Sequence, residues 1–178
     1  MFRVVREFQF CYGHRLLEYE GKCRFLHGHN AKALVVLEAA QLDSKGMVLD
    51  FGEVKRRLGQ WIEENLDHRM ILHRLDPVVP ILLEAGETLF LLDVNPTAEH
   101  IAQLLWEQAQ RLGLPVVEVA FWETPHCQAV FATSGGAIAP NVHQARPIHG
   151  QLIPPRNPGP VMPQPASQPP ADSLSAVV

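Results

Sequence analysis

The chain has 178 residues, 47% hydrophobic and 19% charged, with a formal net charge of −4, enough for one domain with a real core and without the basic excess of a nucleic-acid-binding surface. Three cysteines, an odd number, argue against a disulfide framework and fit a reducing compartment. Met1-Phe2-Arg3-Val4-Val5-Arg6-Glu7 lacks an apolar signal-peptide core, and the greasy stretch Val78 to Val94 is broken by Glu84, Glu87 and Asp93, so the expectation is a cytoplasmic protein with no membrane partner.

Phe8, Phe10 and Tyr12 alternate with Glu7, Gln9 and Cys11, the period of a half-buried strand. The densest chemistry follows: His14, then Cys23, His27 and His29. His27 and His29 are two apart, so on a strand both rings face one way. With His14 from a neighbouring segment they make a three-imidazole cap for a metal, and imidazoles favour zinc over magnesium or calcium. Three protein ligands with an open fourth position mark a catalytic zinc site, and four mark a closed structural one. Cys23, four residues before His27, decides between them. As a ligand it closes the site; left free beside the cation, with Lys22 adjacent, it offers a thiolate as base or nucleophile. Spacing alone leaves both readings open. Cys11 and Cys127 fall in strands and read as small buried hydrophobes.

Asn30 to Gln41 contains a second strand, Ala33-Leu34-Val35-Val36-Leu37-Glu38, and Asp43-Ser44-Lys45-Gly46 is a turn. Asp50 is placed to cap a helix carrying Val54, Leu58, Trp61, Ile62 and Leu66 at helical spacing. Asp67-His68 follows directly. In a tight loop such a carboxylate can orient the imidazole and hold its charged form, although the dipeptide alone reads first as a helix end with a surface His. Ile81 to Leu92 suggests an extra hairpin turning at Gly86. A second helix follows Asn95-Pro96-Thr97, with Ile101, Leu104, Leu105, Gln108 and Leu112 on one face and Gly113 as its stop. Val116 to Thr124 and Gln128 to Thr133 read as a closing hairpin around Pro125-His126. Glu123, after Phe121-Trp122, can accept paired N–H bonds from the guanidine-like edge of a heterocycle; the plainer reading is a solvated strand-end carboxylate. His73, His100 and His126 read as surface residues. Composition changes near Ser134, and ten of the 15 prolines fall between Pro140 and Pro170. Residues 1–137 therefore read as the folded domain and 138–178 as a Pro-rich disordered tail, in which Pro163-Gln164-Pro165 suits an extended docking peptide.

The order and spacing of several short runs carry a resemblance. They are Gly13-His14-Arg15-Leu16, Gly21-Lys22-Cys23, Leu26-His27-Gly28-His29-Asn30, Gly46-Met47-Val48-Leu49-Asp50-Phe51, Leu66-Asp67-His68, Asn95-Pro96-Thr97-Ala98-Glu99 and Trp122-Glu123-Thr124. From Phe8 to about Phe131 the chain resembles the 6-pyruvoyltetrahydropterin synthase / 6-carboxytetrahydropterin synthase (QueD) family. The resemblance implies that His14, His27 and His29 bind zinc (Zn2+) with the fourth position open, and that Cys23 is the catalytic base. It implies that Asp67 and His68 complete a proton relay and that Glu123 and Thr97 hold the pterin. The implied fold is the α+β tunnelling fold: a four-stranded antiparallel sheet with two helices on one face, in the order β-β-α-α-β-β. Three subunits would close a barrel and two trimers stack into a homohexamer, with active sites between subunits. The implied substrate is 7,8-dihydroneopterin triphosphate.

The short Cys23-to-His27 gap is similar to that of the queuosine-pathway branch, whose product is 6-carboxy-5,6,7,8-tetrahydropterin with release of acetaldehyde and triphosphate. The alternatives are the pyruvoyl product, a non-catalytic pterin binder, and a structural zinc module for protein partners. Intact Cys23, Asp67 and His68 weigh against a mere binder. Three departures stand out: Gly13 where Ala is usual, Ala31 where an aromatic or Ser is frequent, and a long Pro77–Asp93 segment. The Pro-rich tail has no counterpart in the family core.

Overall fold

Strand alternation builds the centre of the molecule. The structure, a computed structural model, describes residues 1–133 and 146–156. Strands β1 (Phe2–His14) and β2 (His27–Ala39) run antiparallel in continuous register from Phe2↔Ala39 to His14↔His27. Phe8, Phe10, Tyr12 and His14 are the buried positions of β1, and Ala31, Ala33, Val35 and Leu37 those of β2, as a period of two requires. β5 (Val116–Thr124) pairs antiparallel with β2, and β6 (Cys127–Ala132) with β5. These four strands form the antiparallel unit expected from the sequence.

The sheet continues beyond them. β3 (Arg69–His73) joins β1 in parallel, β4 (Leu89–Leu92) joins β3 in parallel, and β7 (Gly150–Ile153) joins β4 antiparallel. The order is β6-β5-β2-β1-β3-β4-β7. The expected four-stranded antiparallel sheet is thus corrected to a seven-stranded mixed sheet within an α+β fold.

Asp50 caps the first helix, its carboxylate accepting from the Gly52 N–H at 2.6 Å. The helix runs as α1 (Phe51–Val54), widens through a π turn at Lys55–Gly59 and resumes as α2 (Gln60–Asn65). Thr97 caps α4 (Ala98–Arg111) through its Oγ1, and Gly113 ends it at φ +72°, a left-handed conformation that glycine adopts without a Cβ penalty. Both helices bury their apolar stripes in one core: Val54, Leu58 and Ile62 from the first, Ile101, Leu104 and Leu105 from the second, against Phe8, Phe10, Val35 and Phe121.

Ile81 to Leu92 is not a hairpin. Its first arm belongs to a helix, α3 (Val79–Glu84), and its second arm is β4, with Gly86 at φ +93° between them. Val79, Leu82 and Leu83 lie three and four apart, one side of a helix, and pack with Leu72 and Leu89 in a second cluster. Ile71, Phe90 and Leu92 join the main core instead. β3 and β4 are therefore covered on both faces, which is why this region reads as a nearly continuous apolar run.

The tail expectation is also corrected in part, because residues 146–156 return to the domain. Ile148 is 1% exposed. The Glu107 carboxylate accepts from the Ile148 N–H at 3.1 Å, and Gln103 Nε2 donates to the Arg146 carbonyl at 2.9 Å. Asp93 and His149 exchange two bonds: the His149 N–H donates to Asp93 Oδ1 at 3.0 Å and the Asp93 N–H to the His149 carbonyl at 3.2 Å. Gly150 lies so close to the Phe90 ring that a Cβ there would collide with it. Composition missed this strap because four pairing residues suffice once a β4 edge exists to receive them. Pro163-Gln164-Pro165 lies outside the described residues. Among the described residues no helix is long and apolar enough to cross a membrane.

Candidate metal centre

The register that pairs His14 with His27 also sets His29 opposite Tyr12, on the same face. The three imidazole centroids lie 4.5, 5.0 and 5.1 Å apart, and one nitrogen of each ring falls within 4.8 Å of the other two. His14 Nδ1 is 2.7 Å from the Pro96 carbonyl and His27 Nδ1 is 2.8 Å from the Phe25 carbonyl. A carbonyl only accepts, so each Nδ1 carries the hydrogen and each neutral ring presents an Nε2 lone pair. Those two Nε2 atoms are 3.0 Å apart. Facing lone pairs repel at that distance unless a proton or a metal cation stands between them.

His29 Nε2 is buried with no hydrogen-bond partner among the described residues. Leaving such a nitrogen unsatisfied costs about 1–3 kcal/mol, a penalty that a bound cation removes. Burial pushes His14 and His29 below the ordinary histidine range, which favours the neutral, metal-binding form. The donor set therefore fits a metal ion, and His14, His27 and His29 can hold one.

Glu123 is not a solvated strand-end carboxylate. Its side chain is 22% exposed, its Oε1 accepts from the Tyr12 hydroxyl at 2.9 Å, and the same oxygen lies 3.7 Å from His14 Nε2. Burial, then Glu123, then Cys23 push the Tyr12 hydroxyl well above the phenol range. Tyr12 thus stays a donor to Glu123. Cys23 sits in the 3-10 turn Lys22–Arg24, its carbonyl accepting from the Leu16 N–H at 2.8 Å. It stands outside the group of three histidines.

Thr97 Oγ1 serves the N-cap of α4. The run around it braces the imidazoles: Pro96 supplies the carbonyl for His14, and Asn95 clamps the Leu17 backbone through both its amide oxygen (2.8 Å) and its amide nitrogen (2.9 Å).

Asp67 and His68 stand apart from the metal group. His68 Nδ1 lies 2.9 Å from Asp67 Oδ2. Asp67 Oδ1 accepts from the Cys11 N–H at 2.8 Å, and the His68 N–H donates to the Cys11 carbonyl at 2.7 Å. Alternation along β1 turns Cys11 away from the Tyr12 and His14 face, and Cys11, Asp67 and His68 form their own close group. The structure therefore gathers His14, His27, His29 and Glu123 and holds the Asp67–His68 pair on the reverse of β1.

Sequence reasoning passed over Tyr12, Pro96 and Asp76. Tyr12 was signalled by its two-residue spacing from His14. Pro96 and Asp76 act only through tertiary contact. The fully buried Asp76 carboxylate accepts from Arg15 Nε and a terminal guanidinium nitrogen, each at 2.7 Å, tying the turn after β3 to the residue following His14. A Cβ at Gly13 would meet the flexible end of the Met70 side chain, so an Ala there asks only for a shift of that thioether.

A family model described as 6-pyruvoyl tetrahydropterin synthase matches residues 3–134. The 6-carboxy-5,6,7,8-tetrahydropterin synthase of Rickettsia conorii is 37% identical over 134 residues, covering 71% of this chain and 97% of that protein. The Haemophilus influenzae protein of the same name is 30% identical over 133 residues, covering 70% and 94%. Among solved structures, an uncharacterised protein of Wolinella succinogenes superposes with a TM-score of 0.61 at 31% identity, over 75% of this chain and 98% of that one. The Caenorhabditis elegans 6-pyruvoyl tetrahydropterin synthase does so with a TM-score of 0.57 at 23% identity, over 75% and 96%, a likeness of fold alone.

Proposed function

The chain belongs to the 6-pyruvoyl tetrahydropterin synthase family, and from that premise we propose that it is a zinc-dependent lyase. Its reaction converts 7,8-dihydroneopterin triphosphate and one water to 6-carboxy-5,6,7,8-tetrahydropterin, releasing acetaldehyde and triphosphate, the water supplying the added oxygen of the carboxylate. One observation carries the reading: three imidazoles converge, two with Nδ1 bound to carbonyls and the third with an orphaned buried Nε2. The choice of the carboxy product is supported by the names of relatives at 30% identity and above.

Held by His14, His27 and His29, zinc would supply Lewis acidity toward hydroxyls of the substrate side chain. The chain's own residues do the rest. Glu123, fixed by the Tyr12 hydroxyl, accepts the guanidine-like N–H edge of the pterin. Cys23 takes a proton, and His68, oriented by Asp67, gives or takes another. Thr97 contributes by fixing the segment whose Pro96 carbonyl orients His14. Because the Asp67–His68 pair lies across β1 from the imidazoles, one chain does not bring the pair to its own metal group. The reading therefore includes a homohexamer of two stacked trimers, in which a neighbouring subunit's pair meets this chain's imidazoles.

The test is incubation of the zinc-loaded full chain with 7,8-dihydroneopterin triphosphate and mass spectrometry of the products. Carboxytetrahydropterin with acetaldehyde is the expected result. A pyruvoyl product transfers the chain to the activity after which the family model is described, and bound but unconverted substrate makes it a pterin binder.

A further inference from the structure

Cys11 has no part in that chemistry, yet its Sγ, an Asp67 carboxylate oxygen and a His68 ring nitrogen lie within 4.8 Å of one another. We propose that Cys11, Asp67 and His68 form a second divalent-metal site of thiolate, carboxylate and imidazole, which fills when zinc is in excess and withdraws the Asp67–His68 pair from proton transfer. The binding stands on geometry alone; only the effect on turnover rests on the proposed function.

Backbone bonds hold the three residues in place. The Asp67 carboxylate accepts from the Cys11 N–H and the His68 N–H donates to the Cys11 carbonyl, so both ends of the dipeptide are locked to the edge of β1. His68 has φ +55°, a left-handed backbone that costs a non-glycine residue about 1–3 kcal/mol and persists only where its surroundings enforce it. That backbone turns the ring back onto Asp67.

Zinc ligand atoms sit about 2.0–2.3 Å from the ion, which places tetrahedral neighbours about 3.3–3.8 Å from one another. Closing from the observed separations needs shifts of only about 1 Å. Asn30 Oδ1, which accepts from Cys11 Sγ at 3.1 Å, is a fourth donor atom just inside that spacing. Thiolate and carboxylate together match the charge of a dication. Both bordering cations are engaged: Lys32 Nζ lies over the Trp122 ring at 4.3 Å, and Arg69 donates to the His68 carbonyl at 3.4 Å. His68 is 75% exposed by its side chain, and the cluster borders a cavity of about 570 Å³, so an ion can enter.

The metal-stripped full chain is titrated with Co2+, which reports thiolate ligation as a charge-transfer absorption. Two equivalents per chain are expected, one from the imidazole group without that absorption and one with it. Cys11→Ala and the more conservative Cys11→Ser should weaken the thiolate-bearing equivalent at least tenfold and leave the other. Cys23→Ala and His29→Ala should keep the absorption. Saturation at one equivalent, an absorption surviving in both Cys11 variants, or its loss in Cys23→Ala overturns the site. With the site established, excess zinc should slow wild-type turnover and spare Cys11→Ala; equal inhibition of both overturns the withdrawal.

Discussion

Substitution of Ile148 by Ala asks whether the C-terminal strap is part of the fold or an attachment to it. Ile148 is 1% exposed and packs in the main core although it lies beyond the family match, which ends at residue 134. The substitution removes three carbon groups, worth about 0.8 kcal/mol each when buried, and leaves a cavity that neighbouring side chains only partly fill. Together these predict a loss of about 2.5–4 kcal/mol, within the range for such truncations.

The loss saturates at a smaller value if the strap comes free before the rest unfolds, because local opening then sets the limit. Urea unfolding of wild type, Ile148→Ala and a chain ending at Thr133 separates the cases. If Ile148 is core, Ile148→Ala shifts the midpoint at constant slope, and the truncated chain is at least as destabilised. A change below about 0.5 kcal/mol in Ile148→Ala, with a wild-type midpoint for the truncation, refutes the reasoning.

Gly150→Ala forces a Cβ against the Phe90 ring and is expected to cost about 1–3 kcal/mol by the same urea assay. Zinc at a hundred times its Kd should stabilise the chain by about 2.7 kcal/mol, and calorimetry should show that gain lost in His29→Ala. Cys23→Ala should keep bound zinc, measured by elemental analysis, while turnover falls at least a hundredfold; joint loss of zinc and turnover would make Cys23 a ligand. In the metal-free chain, burial lowers His14 and His29, so the unfolded chain binds their protons first. Stability is then full above about pH 6.5 and falls as pH drops toward the folded values. A urea midpoint that is flat from pH 7.5 to 5.5, or a drop undiminished in His29→Phe, contradicts this.

What was legible in the sequence was local. The period of two through Phe8, Phe10 and Tyr12, the helical spacing of Val54, Leu58 and Ile62, the Asp50 cap and the Gly113 stop all act within a few residues. Backbone geometry and hydrogen bonding dictate such features before any tertiary contact forms. The same period set His27 and His29 on one face, so the imidazole group was visible as a pattern.

Other features needed the assembled sheet. Tyr12 and Glu123 meet across 111 positions, and Pro96 orients His14 across 82. β7 exists because β4 offers an unpaired edge, and β4 is an edge only after β3 has joined β1. The separation of Asp67–His68 from the imidazoles follows from which side of β1 Cys11 faces. Sequence determined the chemical groups and their local directions. Long-range strand pairing decided which of them meet, because an edge accepts whichever segment completes its hydrogen bonds and buries its apolar side.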